Sequence, residues 1–576
     1  MKLADAECRV KQEVCDPLKV AFLLEIFGCI AVALCVTNGM SLVAAAESRE
    51  IRITQPYLNI PINREAKEQV LDIKINGKVE REFPSQLADG SIDYWVYLDV
   101  SEFKGKTIDI SGAATKAGLD HIYESSKING ANNLYREPNR PQFHFTADRG
   151  WSNDVNGPIF YKGQYHLFWQ SYPFGTIWDT GFMYWGHATS KDLIHWQQLT
   201  PALMVDKLGS PWSGTSLIDS RNDGGWGKGA LVLVYANFDR ITHKQVQCIA
   251  YSNDGGVTFK HFAGNPVVDS NQAVGSNDTR DPKVFWYEPT KHWVMVLFEL
   301  DGMSFYTSTD LKTWSKQSHF KGLFECPDFF ELPVDGDDKN KKWILHGGSA
   351  SYFIGTFDGN SFKPESSELR YAEGKNEKDA DILYAAQSFA EMPNNRRVQI
   401  AWARTTKKQI PFDQMMLFPT EFRLTTTKDG LRLLATPIQE IAQLHTGASN
   451  WTSLTAGEAT EKLEHLAPGP IHIKITFTLA DADKMLISYQ GHSLATIQAK
   501  DFPPREISGE ILVDRGITEI FLDEGIRYIV KELPNDANGQ GMALSTETIG
   551  SKINKLTVYA MDSMWHSHSH DPENRR

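Results

Sequence analysis

Four short segments of the chain share one pattern: YWGHATSKDLIHWQQL (184–199), CIAYSNDGGVTFKHF (248–262), MSFYTSTDLKTWSKQ (303–317) and YFIGTFDGNSFKPE (352–365). Each reads as a strand, a small or polar residue, an aspartate, and an aromatic residue four or five positions later. The aspartates are Asp192, Asp254, Asp310 and Asp358, at steps of 62, 56 and 48 residues. Repeats of about this length are four-stranded units that close radially into a β-propeller and leave only short edges. Helical periodicity is almost absent after residue 50, and short alternating runs such as YHLFWQ, ALVLVYA and HWVMVLFEL are separated by Gly, Asp, Asn and Pro. That is the pattern of an all-β chain. Four motifs, with room for one further unit in 141–440, predict a five-bladed β-propeller.

The flanks predict the remaining organisation. Residues 48–125 read as a small N-terminal β module, 126–140 as a polar linker, 441–565 as a C-terminal β-sandwich and 566–576 as a disordered tail. Residues 1–47 read as a targeting segment, with the apolar run Ile26–Val36 followed by small residues around Ala46. An uncleaved anchor over Val20–Val36 is the competing reading, but it contains Glu25 and is short for a bilayer. The expectation is an exported protein, periplasmic, cell-surface or secreted in the bacterial manner, with no stable membrane insertion after processing. Beyond residue 35 only Cys248 and Cys326 remain, too few and too far apart for a disulfide framework or a zinc pattern. A net charge of -13 argues against nucleic acid or an anionic membrane as the main partner. Fifteen tryptophans suit a neutral ligand that stacks on aromatic rings.

In a propeller the first strand of each blade lines the central channel, just after the tail of the preceding blade. Ser213, beside Trp212 in WSGTS, follows Asp192 by 21 residues; Asp281, beside Arg280 in TRDPKVFW, follows Asp254 by 27. Glu325, beside Cys326 in FECPDFFEL, follows Asp310 by 15, and Tyr384 of LYAAQSF follows Asp358 by 26. Asp154, in GWSNDVNGPIFYKGQYHLFWQ (150–170), stands at the matching start of the first blade. Taken singly, Asp154 could be a turn residue, Asp281 half of an ion pair and Glu325 a solvated loop acid. Together they converge on one end of one channel, an arrangement that is costly unless the charge is used. Paired acids beside aromatic residues suit glycoside hydrolysis, in which one carboxylate attacks the anomeric carbon and a second protonates the leaving oxygen. A retaining enzyme needs those two carboxyls about 5–5.5 Å apart. Asp328 and Glu331 lie close enough in sequence to be mistaken for the acid.

The motifs WSNDVNG, RDP and EC, in that order, resemble glycoside hydrolase family 32, the invertase, inulinase and levanase family. The similarity extends over about 140–565 and includes YHLFWQ, YWGHATSKDLIHW and ILVDRGITEIFLDEG. It implies a propeller followed by a β-sandwich and a retaining mechanism on β-fructofuranosides. It also implies roles: Asp154 as nucleophile, Glu325 as general acid/base, Asp281 as transition-state stabiliser, and Arg280 orienting the carboxylates. Asn153, Gln170, Trp178, Trp212, Ser213, Tyr384 and Trp402 match positions that line the fructose pocket, and Cys326 is expected to modulate the acid beside it. The chain departs from the family signature in having Ser152 for Met and Val155 for Pro, and DILYAAQSF departs from the usual form around Tyr384. Neither departure in the signature adds or removes a catalytic group. The N-terminal module is similar to those preceding some levanase-like enzymes. The expected function is hydrolysis of fructans such as levan or inulin, with sucrose as a further substrate and exo release of fructose. Endo action or fructosyl transfer on the same scaffold are alternatives, and a non-catalytic fructan-binding protein is the alternative of another class. Two-carboxylate cleavage implies no metal and no cofactor.

Overall fold

The repeated aspartates close one and the same turn. Asp192 Oδ1 accepts the backbone N–H groups of Ile194 and His195 at 3.0 and 2.8 Å. Asp310 Oδ1 accepts those of Lys312 and Thr313 at 2.9 and 2.7 Å, and Asp358 Oδ1 those of Asn360 and Ser361 at 2.8 and 2.7 Å. Asp254 does the same one residue later, toward Val257 and Thr258. Such side-chain turns satisfy backbone donors that no ladder reaches. The aromatic that follows folds back over the turn: Trp196 Nε1 donates to Leu193 O at 3.0 Å and Trp314 Nε1 to Leu311 O at 2.8 Å.

In the computed structural model, which describes residues 47–178, 181–269, 278–502, 505–548 and 550–565, each of these turns joins the third and fourth strands of a sheet. The predicted targeting segment and the His-rich tail lie outside the described residues, Glu47 apart. The first blade comprises Gly150–Tyr161, Gln164–Tyr172, Tyr184–Ser190 and Trp196–Gln198; the second begins with Ser210–Asp219, the third with Thr279–Tyr287 and the fourth with Asp328–Val334. The fifth comprises Leu383–Ser388, Val398–Ala403, Thr420–Thr427 and Gly430–Pro437. Its last two strands are joined only by Lys428 and Asp429, with Gly430 at φ 96°. This tight hairpin needs no aspartate turn, so only four copies of the motif are visible in the sequence. The ring is tied shut where Phe412–Asp413 runs parallel to Gly150 and Trp151 at the start of the first blade.

Beside the propeller stand a seven-stranded sheet, one strand of which, Ala372–Glu373, comes from between the fourth and fifth blades, and a three-stranded sheet; their apolar faces share one core, Ile473, Ile475 and Phe477 packing with Met485, Ile487 and Ile497. This is the β-sandwich. It meets the propeller through a buried polar knot. His144 Nδ1 lies 2.9 Å from Asp514 Oδ2 and its Nε2 lies 2.7 Å from Glu519 Oε1, all three side chains being fully buried. The two carboxylates hold the imidazole protonated against the cost of burial, raising its pKa to about 9.

At the N-terminus, a four-stranded sheet (Ser48–Arg52, Thr107–Gly112, Gln69–Ile75, Lys78–Ser85) faces a three-stranded one (Tyr94–Asp99, Tyr57–Ile62, Tyr123–Ser125). The polar stretch 126–140 that follows is packed: Leu134 and Tyr135 are in the propeller core, and Arg140 is fully buried. Its guanidinium pairs with Glu137, donates to Thr146 Oγ1 and Ala147 O, and lies 3.8 Å from the centroid of the Phe412 ring.

Candidate active site

The inner strands of four blades break register at the same height. Between Ser152 and Val155 the first inner strand advances three residues while its partner advances two, from Ser171 to Trp169. The same detour occurs at Pro211/Gly214, at Arg280/Lys283 and at Tyr384/Gln387. A β-bulge leaves residues outside the ladder and re-aims their side chains. The pairs so released are Asn153–Asp154, Trp212–Ser213, Asp281–Pro282 and Ala385–Ala386. In the fourth blade Glu325 and Cys326 precede the inner strand and reach the same height through left-handed backbone, at φ 33° and 45°. Asp281 too is left-handed, at φ 61°. Non-glycine residues held this way cluster where function over-determines the backbone.

Of the released residues, Asn153, Asp154, Trp212, Ser213 and Asp281 meet with Glu325 in one cavity of about 340 Å³. Its lining includes Asn153, Asp154, Gln170, Trp178, Trp212, Ser213, Arg280, Asp281, Glu325, Tyr384 and Trp402, every site residue predicted from sequence except Cys326, which is buried behind it. Asp154 Oδ2 accepts from Ser213 Oγ at 2.8 Å and from Cys326 Sγ at 3.4 Å, while its Oδ1 accepts from Asn153 Nδ2 at 3.1 Å. Asp281 Oδ2 accepts the Cys326 backbone N–H at 2.9 Å. Cys326 therefore stands between the two aspartates, its sulfur also 3.5 Å from Asp281 Oδ2. Glu325 is gripped from both sides: Tyr384 OH donates to Oε1 at 2.6 Å, and Arg280 Nε and Nη2 donate to Oε2 at 3.1 and 2.9 Å. Arg280 also pairs with Asp278; its Nε lies 3.8 Å from Asp281 Oδ2, so of the two site acids Glu325 is its closer partner. The guanidinium packs against the rings of Phe298 and Phe324, 4.8 and 5.7 Å from their centroids.

The electrostatics follow from crowding acids at the bottom of a pocket. Burial raises the pKa of Asp154, and the charge of Glu325 adds to it against the hydrogen bonds of Ser213, Asn153 and Cys326. Burial pushes Asp281 up to about 7; Arg280 opposes this, and the charges of Glu325 and Asp154 reinforce it. Burial and then the neighbouring acids also raise the Cys326 thiol and the Tyr384 phenol, so both remain protonated donors.

Asp328 and Glu331 are separated from this chemistry. Asp328 is fully buried below the site, paired with Lys283 Nζ at 2.8 Å and accepting the Ser388 N–H at 2.7 Å. Glu331 is on the surface beside Lys341. Below the cavity the channel is filled: Gln387 accepts the Gly157 N–H at 2.9 Å and donates to Gly214 O at 3.0 Å, and Ser216 Oγ donates to Gly157 O at 2.5 Å. The inner strands come so close here that a Cβ on Gly157 would lie 2.3 Å from Ser216 N. The cavity therefore has a floor. Val155, where the family signature has proline, is buried and re-enters the ladder opposite Trp169.

Sequence reasoning missed Trp151, Met183, Asn376, Lys378, Ala380, Arg404, Thr405 and Thr406, which also line the cavity. Arg404 lies 4.0 Å from the centroid of the Tyr384 ring. Trp151 and Arg404 adjoin singled-out residues in WSNDVNG and WAR, which was a usable signal; the polar loop around Asn376 carried none. Also missed was Asn156, buried in the same motif, whose amide, oriented to satisfy its neighbours, accepts from Gln170 Nε2 at 2.9 Å and donates to Ser213 Oγ at 3.3 Å.

Residues 144–437 match the profile of the glycosyl hydrolases family 32 N-terminal domain, which spans all five blades. The chain belongs to glycosyl hydrolase family 32. As a family 32 member it is a glycosidase. A levanase of Bacillus subtilis is 34% identical over 494 residues, covering 75% of this chain and 72% of the relative. An extracellular exo-inulinase of Meyerozyma guilliermondii is 33% identical over 443 residues, covering 68% of this chain and 82% of its own. The crystal structure of an exo-inulinase from Aspergillus awamori superimposes with a TM-score of 0.63 at 23% identity, over 75% of this chain and 100% of that one, and shares the fold. Among the described residues, no helix is long and apolar enough to cross a membrane.

Proposed function

We propose that this family 32 enzyme hydrolyses β-fructofuranosidic bonds in fructans, releasing fructose from the chain end with retention of configuration. The observation that carries this reading is the meeting of Asp154, Asp281 and Glu325 from different blades in one floored cavity, with Cys326 between the aspartates. The relatives named levanase and exo-inulinase support the substrate class. Asp154 attacks the anomeric C2 of fructose, and the C2–O bond breaks as Glu325 gives its proton to the departing oxygen. Glu325 then takes a proton from water, which attacks C2 and frees fructose and the Asp154 carboxylate. The positive charge that develops on the fructosyl ring is stabilised by Asp281, whose carboxylate also suits a pair of sugar hydroxyls. Tyr384 and Arg280 hold Glu325 in place through both of its oxygens. Asn153, Gln170, Trp178, Trp212, Ser213 and Trp402 form the walls against the sugar.

The relative named exo-inulinase favours exo over endo action, and the floor formed by Gly157, Gln387, Gly214 and Ser216 closes the cavity below the acids. Export is part of this reading: the apolar run Ile26–Val36 supports it, as does the extracellular relative. The test is a chromatographic time course on levan, inulin and sucrose with wild type and Asp154→Asn. Fructose alone from the first minutes is expected from wild type, and a loss of at least about a thousandfold from the variant. An early oligosaccharide ladder would mean endo action. Turnover surviving in Asp154→Asn would displace Asp154 as nucleophile.

A further inference from the structure

The connection between the second and third strands of the first blade has two sides. Toward the site, Trp178 and Met183 line the cavity, and Trp178, 64% exposed, stands at its mouth. Away from the site, Phe174, Phe182 and Tyr184 are buried in the same apolar cluster as Leu58, Ile60 and Phe83 of the N-terminal sheets. The rings of Phe83 and Phe174 lie 5.7 Å apart. The Tyr172 hydroxyl, where the connection starts, donates to the Glu68 carboxylate. Arg240 of the second blade adds a third tie, pairing with Glu82 at 2.9 Å while its guanidinium lies 5.0 Å from the centroid of the Phe182 ring. The connection thus has no core of its own; it is clamped between the cavity and the N-terminal sheets.

We infer that the N-terminal sheets are a positioning element of the catalytic pocket: by fixing segments 172–178 and 181–184 they set the mouth at Trp178, and so tune affinity for the part of a polymeric fructan that protrudes from the pocket. Resting on the function proposed above, this deepens it from reaction to substrate length. An exposed indole at a pocket mouth offers a stacking face to a sugar ring beyond the one being cleaved. Sucrose, whose leaving portion is a single ring, depends less on that face than levan or inulin does. Neither Phe83 nor Glu68 lines the cavity, and each contacts the connection directly, Phe83 at Phe174 and Glu68 at Tyr172.

The test uses the full chain with Phe83→Leu, which shrinks the ring contact, and Glu68→Gln as the milder second variant. KM for levan and inulin is expected to rise about five- to tenfold, with kcat and both constants for sucrose within about twofold. Amide hydrogen exchange in 172–178 is expected to quicken while the inner strands keep their protection. Variants that melt like wild type yet keep its polymer KM, or that lose all substrates equally, overturn the inference. Retardation of each protein in a levan-containing gel separates the two readings. A wild type that cleaves nothing but is retarded more than the variants would sink the hydrolase reading and leave this one standing; equal retardation would sink this one.

Discussion

Cys326 donates its thiol hydrogen to Asp154, with Sγ 3.4 Å from Oδ2. The bond favours the ionised aspartate, the form that a nucleophile needs, while burial raises Asp154 in the other direction. Removing the donor should raise the Asp154 pKa further. Cys326→Ala is therefore expected to move the acidic limb of the kcat/KM–pH profile up by about 0.7 of a unit, the weak thiol hydrogen bond to the carboxylate being worth about 1 kcal/mol. Cys326→Ser, which still donates, should leave the limb near its wild-type position. An unmoved limb in Cys326→Ala would reduce the thiol to a packing group.

The His144 knot makes stability pH-dependent on the alkaline side. The folded-state pKa of about 9 lies above the ordinary 6.5, so the stabilisation is complete below about 6.5 and is lost as pH rises through about 9. The difference is on the order of 3 kcal/mol. Urea midpoints between pH 6 and 10 should fall for wild type. His144→Gln, less stable throughout, should show a flatter curve, and parallel curves would contradict the assignment.

The repeat aspartates act on the acidic side. Burial opposes ionisation of Asp254, but hydrogen bonds from Thr258, Ser252 and Val257 hold its pKa down to about 2. With the folded value below the ordinary 3.8, its contribution is present above about pH 4 and disappears as pH falls through about 2. Asp254→Ala should cost about 1 kcal/mol at neutral pH, as lost caps of this kind do. Asp254→Asn, whose amide oxygen still accepts, should cost less and should remove part of the acid sensitivity, as read from urea midpoints at pH 7 and pH 3.

Gln414, buried and left-handed at φ 71°, holds the aromatic wall from behind. Its Oε1 accepts from Trp402 Nε1 at 2.9 Å and from the Thr405 N–H at 3.1 Å. Gln414→Ala would orphan the indole N–H and free the ring to turn. KM should rise about tenfold with a smaller change in kcat, because the wall binds substrate but takes no part in proton transfer. Gln414→Glu, which keeps the acceptor, should recover most of the loss.

Much of the site was legible because a propeller repeats its geometry. Once the aspartate turns were aligned, the start of each inner strand followed by counting, and Ser213, Asp281, Glu325 and Tyr384 all fell into one cavity. What counting missed depends on contacts between distant segments. The bulges are a property of two paired strands, and nothing in TRDPKVFW by itself announces one. Gln414 lies in QMMLFP, where a polar residue before an apolar run reads as a turn. Arg140, in a stretch that looks like a linker, is buried because Glu137 and nearby backbone carbonyls satisfy a charge whose composition suggested solvent. The fifth blade is legible only by the room left for it, since its two-residue hairpin, although it contains Asp429, lacks the aspartate turn that marks the others.

The paired detours in four inner strands separate the residues that hold the scaffold from those that do its chemistry. Beyond each detour the strands pair again with the register shifted by one residue, as at Val155 opposite Trp169 and Gln387 opposite Ile400. The residues inside the detours bear no ladder bonds, so exchanging them leaves the scaffold's alignment untouched. Such a scaffold carries its chemistry on a handful of residues, Asp154 and Asp281 among them, that the alignment of the blades does not depend on.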